Sequence, residues 1–190
     1  MNAGKSTGQI AHWPMNDNAA STVVADTGRN NLAGVFNDAG GDPNTDAHTV
    51  AGPTGQANSA LSFDGSDDLT NAINVSAAGG VRGFSFWMNP TTTTESIFEE
   101  TDNVGPTISS GTMVYGNWDN CYIDGVDTDT VTTGWHHIVL TSTTDVTMTA
   151  FRLGLVNTTY FTGSISDVRP FSMAPTYPLV RKLYRAGGGQ

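Results

Sequence analysis

The stretch "GWHHIVLT" (134–141) sets two histidines side by side between a tryptophan and an apolar run. Imidazole is a common metal ligand and general base, so His136 and His137 are the first candidates for chemistry. Adjacent residues of a strand point to opposite faces, so both rings cannot serve one ion or one substrate from a regular strand. Cys121 and His48 stand at no zinc-type spacing relative to the pair. The pair therefore reads as a fold element, with one ring toward a sandwich core and the other on the outer face.

The acidic candidates divide in the same way. All three glutamates, Glu95, Glu99 and Glu100, lie in "ESIFEE". On a strand Glu95 and Glu99 share a face, but retaining glycoside hydrolysis needs two carboxyl groups about 5 Å apart, and this pair is spaced too widely. The reading is a solvated charge cluster near a loop. "GKST" (4–7) looks like the end of a phosphate-binding loop, but that motif needs a glycine five residues earlier and a strand ahead of it. Nucleotide binding is set aside. In "MVYGNWDNCY" the rings of Tyr115 and Trp118, with Asp119 and Asn120 as polar partners, are candidates for a sugar platform. An amphipathic ring can stack on a sugar face while its neighbours take the hydroxyls; against this stands the usual burial of tryptophan. Cys121 is the one cysteine; it excludes an intrachain disulfide and reads as a buried small hydrophobe.

Charge removes whole classes of partner. The net charge is -10 and the isoelectric point about 4.4, which argues against nucleic acid and against an anionic membrane surface. No apolar run reaches spanning length, and the first residues contain no hydrophobic core of a signal peptide.

The elements that would position these residues are β-strands. Thr, Ser, Asn, Gly and Asp dominate while Glu and Lys are scarce, a composition poor in helix formers and rich in β-branched residues. Short runs such as "SALSFDG", "GFSFWMNP", "CYIDG", "WHHIVLT" and "FTGSISDVRPF" recur between turn signals. The pattern predicts a single all-β domain over 1–190, a sandwich or jelly roll. Phe84 and Phe86 alternate toward the core and Pro90 closes their strand. Asp64-Gly65 reads as a hairpin-type turn, and 28–60 as loop for much of its length. One helix is expected, over 178–186, with Pro178 in its first turn, Gly187 at its end, and Leu179, Val180, Leu183 and Tyr184 on one stripe. Residues 1–9 are read as an arm.

Seven stretches in order, "AHWPMND", "VADTGRNNLAG", "GQANSALSFDGSDD", "GFSFWMNP", "GWHHIVLT", "FTGSISDVRPFSMAP" and "PLVRKLYRAGG", make the chain resemble the laminin-G-like branch of the concanavalin A-like lectin/glucanase jelly rolls. The resemblance implies a two-sheet antiparallel jelly-roll sandwich, its curved sheets packed face to face, no catalysis, binding of sugars, proteins or other surface ligands, and in some members a calcium ion. Calcium would sit at the "ADTGRNN" loop with an acidic residue from "GSISDV", that is at Asp26, Asn31 and Asp167; such an ion takes six to eight oxygens. The resemblance also places Trp13 and Trp135 at positions that pack inward. One feature departs from it: the Asp-Gly turn that relatives carry after the Trp-His-His strand has its counterpart, "CYIDGV", before it.

Two non-enzymatic functions follow. The first is a virion-surface protein, such as a bacteriophage capsid decoration, cement or fibre component, whose partners are the capsid or neighbouring subunits, copies of itself included. The alternative is a carbohydrate-binding module or adhesin of a secreted bacterial protein, taking a surface glycan.

Overall fold

The computed structural model describes residues 8–101 and 103–189; "GKST" and most of the expected N-terminal arm lie outside them. Seven antiparallel strands form the main sheet, in the order Val126–Asp127, Asn120–Ile123, His136–Val146, Val81–Pro90, Thr162–Phe171, Ala60–Asp64 and Thr49–Val50. Register decides which side chains face inward. Ile138 lies opposite Phe86, Leu140 opposite Phe84, and Ile165 opposite Met88, so one face is a continuous apolar surface. All eight phenylalanines are buried. Phe84 packs on Phe98 and Phe151 at centroid distances of 4.5 and 5.4 Å, joining the two layers.

The opposing layer is broken into short pieces. Val23–Val24, Gly34–Asn37 and Leu69–Thr70 form one patch, and Glu95–Ser96, Thr107–Ser109 and Thr112–Val114 another. Phe98–Glu99 pairs with Arg152–Leu153, and Leu155–Val156 with Thr159–Tyr160. The Asp64-Gly65 turn feeds this layer. Gly65 has φ +85° as expected, but the next strand pairs with Gly34–Asn37 across the core and not with Ala60–Asp64, so the turn is a crossover and no hairpin. "CYIDGV" is the true hairpin: Asp124 and Gly125 both have positive φ, 53° and 75°, as a type I′ turn requires.

The helix runs Tyr177–Ala186 with Pro in its first turn. It lies on the outer face of the main sheet, where Tyr184 stacks on Trp87 at 5.8 Å and Val180 and Leu183 are buried. The central strand is therefore covered on both faces: Phe84, Phe86 and Met88 inward, Ser85 and Trp87 under the helix, all buried. Gly187 must be glycine because a Cβ there would run into the Trp87 indole.

The three glutamates overturn the solvated-cluster expectation. Glu95, Glu99 and Glu100 are 6, 2 and 0 % exposed. They stand in the broken layer, where backbone N–H groups lack strand partners, and their carboxylates supply acceptors. Glu95 accepts from the Thr162 N–H at 2.9 Å and from the Thr92 hydroxyl at 2.8 Å. Glu99 accepts from the Asn157 N–H at 3.0 Å and pairs with Arg152 Nη1 at 2.9 Å. Glu100 accepts from Trp118 Nε1 at 2.6 Å and Asn117 Nδ2 at 2.7 Å.

Removing a buried carboxylate strands its donors, whereas an exposed ion pair contributes little. Urea unfolding is expected to show a loss of roughly 2–3 kcal/mol for Glu99→Ala. Asp145→Ala, which breaks the exposed Arg82–Asp145 pair, should cost under about 0.5 kcal/mol.

Candidate functional site

The histidine pair sits at the start of the His136–Val146 strand. Alternation sends His136 to the side of Ile138 and His137 to the outer face. The buried ring is the outer one: His137 is 1 % exposed, packed between Trp87 at 5.1 Å and Tyr184 at 6.1 Å, because the helix covers it. Its Nε2 meets the Ser85 hydroxyl at 2.9 Å. The half-buried His136 has Nδ1 2.7 Å from Asp124 Oδ2 and Nε2 2.9 Å from the Thr132 hydroxyl. Asp124 Oδ1 also accepts the His137 N–H at 2.8 Å. Burial opposes ionisation of Asp124, but the His136 and His137 hydrogen bonds outweigh it and hold its carboxyl below the usual range.

Beside this assembly lies a cleft in two parts that meet at Trp87 and Pro53. The part of about 260 Å³ is lined by Asp124, Trp135, Tyr184, Gly188 and Gly189 as well. The part of about 280 Å³ adds Asn16, Thr54, Gln56, Asp167 and Arg169. Trp135 was expected in the core; it is half-buried at the cleft wall instead, because it precedes the first residue of the strand and so escapes the sheet. The cleft combines aromatic faces with one carboxylate in each part, a guanidinium and amides, a composition suited to a polar ligand with apolar patches. Trp87 Nε1 is buried there without a hydrogen-bond partner.

The expected platform is not assembled. Trp118 is 5 % exposed and spends its N–H on Glu100. Tyr115 packs half-buried against the core, Asn120 belongs to a sheet strand opposite Thr141, and Asp119 accepts the Thr143 N–H and hydroxyl, both at 2.7 Å. The Thr143 N–H holds the Asp119 carboxyl below its ordinary value. Cys121 is buried, and burial pushes its thiol up to about 12, as befits a small hydrophobe.

Two of the three residues expected to hold calcium, Asp26 and Asp167, accept hydrogen bonds from protein donors. Asp26 accepts backbone N–H groups from His12, Gly28 and Leu32 at 2.8, 2.7 and 2.8 Å, so its loop is an Asx-type turn extended over three donors. Asn31 stands in it at φ 52°. Asp167 sits at φ 53° where the register of Thr162–Phe171 shifts. Its Oδ1 lies 2.7 Å from His12 Nε2 and accepts from Arg169 Nε and Nη2 at 2.9 and 2.7 Å. Burial works against the charge of Asp167, but the His12 hydrogen bond and Arg169 keep its pKa low. Thus His12, through its backbone N–H and its ring, bridges the two aspartates. Among the described residues, groups of three or more acidic, His or Cys ligand atoms close enough to share an ion occur at Asp38, His48 and Asp68 and at Asp64, Asp67 and Asp68, residues that sequence reading passed over. "FDGSDD" carried the signal, but as a turn.

No family model matches the chain, and no curated protein does. Solved structures match its fold. Domain 4 of AbnA, an extracellular GH43 arabinanase of Geobacillus stearothermophilus solved with arabinotriose, superposes with a TM-score of 0.55 at 19% identity, covering 93% of this chain and 98% of that domain. A Trypanosoma rangeli sialidase mutant gives 0.52 at 12% identity over 95% of this chain, which spans 33% of that protein. The receptor-binding domain of a botulinum neurotoxin C/D mosaic gives 0.50 at 13% identity, with 96% and 52% covered. The fold is the all-β sandwich of antiparallel sheets that these structures share.

Two buried groups give opposite pH signatures. Burial raises Glu100 to about 7, so its contribution to stability is full below pH 4.5 and is lost as pH rises through 7. Burial lowers His137 to about 4, so its contribution is full above pH 6.5 and is lost as pH falls through 4. Between pH 4.5 and 6.5 the slopes oppose each other. Glu100→Gln removes one of these slopes, so the variant's stability should gain on that of the wild type by up to about 3 kcal/mol as pH rises from 4.5 to 6.5. Melting temperature against pH reads it, as the difference between the two proteins over the same interval.

Proposed function

We propose that the chain is a non-catalytic carbohydrate-binding module whose glycan lies in the Trp87–Trp135 cleft. The observation that carries this is Trp135, an indole half-exposed at the wall of a cleft whose other groups, Asp124, Asp167, Arg169 and Gln56, are hydrogen-bonding partners for hydroxyls. Ring-to-sugar contact with polar groups around it is how a site with little enclosed volume gains specificity. Support also comes from the arabinanase domain, which matches nearly end to end and was solved with arabinotriose. The three glutamates argue for the absence of catalysis, since each is committed to donors from a different segment. None of the three neighbours is a virion protein, so the comparisons favour the glycan reading over capsid decoration. A glycan-binding role fits an extracellular or cell-surface setting.

A glycan array that includes arabino-oligosaccharides, followed by calorimetric titration of the hits, tests the proposal. Specific binding is expected, weakened at least tenfold by Trp135→Ala with the near-ultraviolet circular dichroism otherwise retained. Absence of binding to any glycan, or affinity untouched by Trp135→Ala, would refute it.

A further inference from the structure

Away from the cleft, five ionisable side chains meet where residues 38–48 pass the 64–68 turn. Asp38 follows the Gly34–Asn37 strand, His48 ends the short helix Thr45–His48, Asp64 ends Ala60–Asp64, and Asp67 and Asp68 precede Leu69–Thr70. Ligand atoms of Asp38, His48 and Asp68 lie within 4.8 Å of one another, and so do those of Asp64, Asp67 and Asp68. Asp68 belongs to both groups.

An acidic cluster alone is ordinary surface. Asp68 is different, because it is 2 % exposed. Its Oδ2 accepts the Asp64 N–H at 2.8 Å, while its Oδ1 is buried with no hydrogen-bond partner. A buried carboxylate oxygen with no partner is costly. His48 stands between the carboxylates without relieving that oxygen. Its Nε2 is 2.8 Å from the Asp42 carbonyl and 3.4 Å from Asp38 Oδ2, and its Nδ1 faces Asp68 Oδ2, not Oδ1, at 3.8 Å. The ring is held in that orientation against Phe36 at 4.5 Å. Among the described residues the arginine ion pairs go to Asp145, Glu99 and Asp167, so no guanidinium offsets this cluster.

We propose that Asp38, Asp64, Asp67 and Asp68, with His48 at the edge, form a binding site for a divalent cation of the oxygen-preferring class to which calcium belongs. Several carboxylate oxygens from separate segments are what such an ion collects. The ion ties the 38–48 loop to the 64–68 turn, and so fixes the crossover by which the chain changes layers. The site is distinct from Asp26 and Asp167, which are held by His12.

The test is calcium titration of EDTA-treated, desalted protein by thermal melting and calorimetry. Calcium in excess of its dissociation constant is expected to raise the melting temperature by several degrees. Asp67→Asn, at a half-exposed position, should weaken affinity at least tenfold while leaving the calcium-free melt near wild type. Asp68→Asn should abolish the shift, and Asp26→Asn should retain it. No shift and no heat up to about 10 mM calcium, above the range of weak extracellular sites, would overturn the proposal. So would a shift that survives intact in Asp67→Asn and Asp68→Asn, or one that is lost only in Asp26→Asn.

Discussion

Carboxylates that accept backbone N–H groups hold this sandwich together where strand pairing stops. A buried N–H without an acceptor costs more than most contacts return, and a layer made of two- and three-residue strands leaves many of them. Glu95 takes Thr162, Glu99 takes Asn157, Asp26 takes His12, Gly28 and Leu32, Asp124 takes His137, and Asp17 takes Ala25. Three of these carboxylates reach segments far along the chain: Glu95 to Thr162, Glu99 to Asn157 and Asp26 to His12. The strongly acidic composition is thus partly structural: many of these charges face the backbone and not the solvent.

The same device positions the cleft. The Asp124-Gly125 turn places a carboxylate over the first two residues of the His136–Val146 strand. That fixes where the strand begins and leaves Trp135 outside it. His137 then supports Trp87 from beneath, and the helix closes over both through Tyr184. On the other side, the irregularity at Asp167 turns its side chain to His12 and Arg169 and brings Val168 back into the core. The aromatic and polar walls of the cleft are therefore consequences of sheet architecture, with little freedom to rearrange.

Period-two alternation and turn residues made the main sheet readable. Phe84, Phe86, Pro90, the helix and the split between His136 and His137 all follow from local rules. What alternation does not carry is the second layer. It could not show that the outer histidine is the buried one, because that depends on a helix forty residues further along the chain. Nor could it show that Glu95, Glu99 and Glu100 are buried, since glutamate is seldom buried without a partner and the partners here are N–H groups of distant segments. Trp118 misled for the same reason: its partner, Glu100, lies in another element. The Asp38, His48 and Asp68 cluster depends on a crossover that the Asp64-Gly65 signal made look like a hairpin.

Amide hydrogen exchange measures the central claim residue by residue. If carboxylates replace strand partners, the N–H groups of Asn157, Thr162 and His137 should be protected nearly to the limit set by global unfolding, like those of the Val81–Pro90 strand. Exchange of these three amides at the rate of exposed loop residues would contradict the account, since the carboxylates would then be neighbours of the backbone and not its partners.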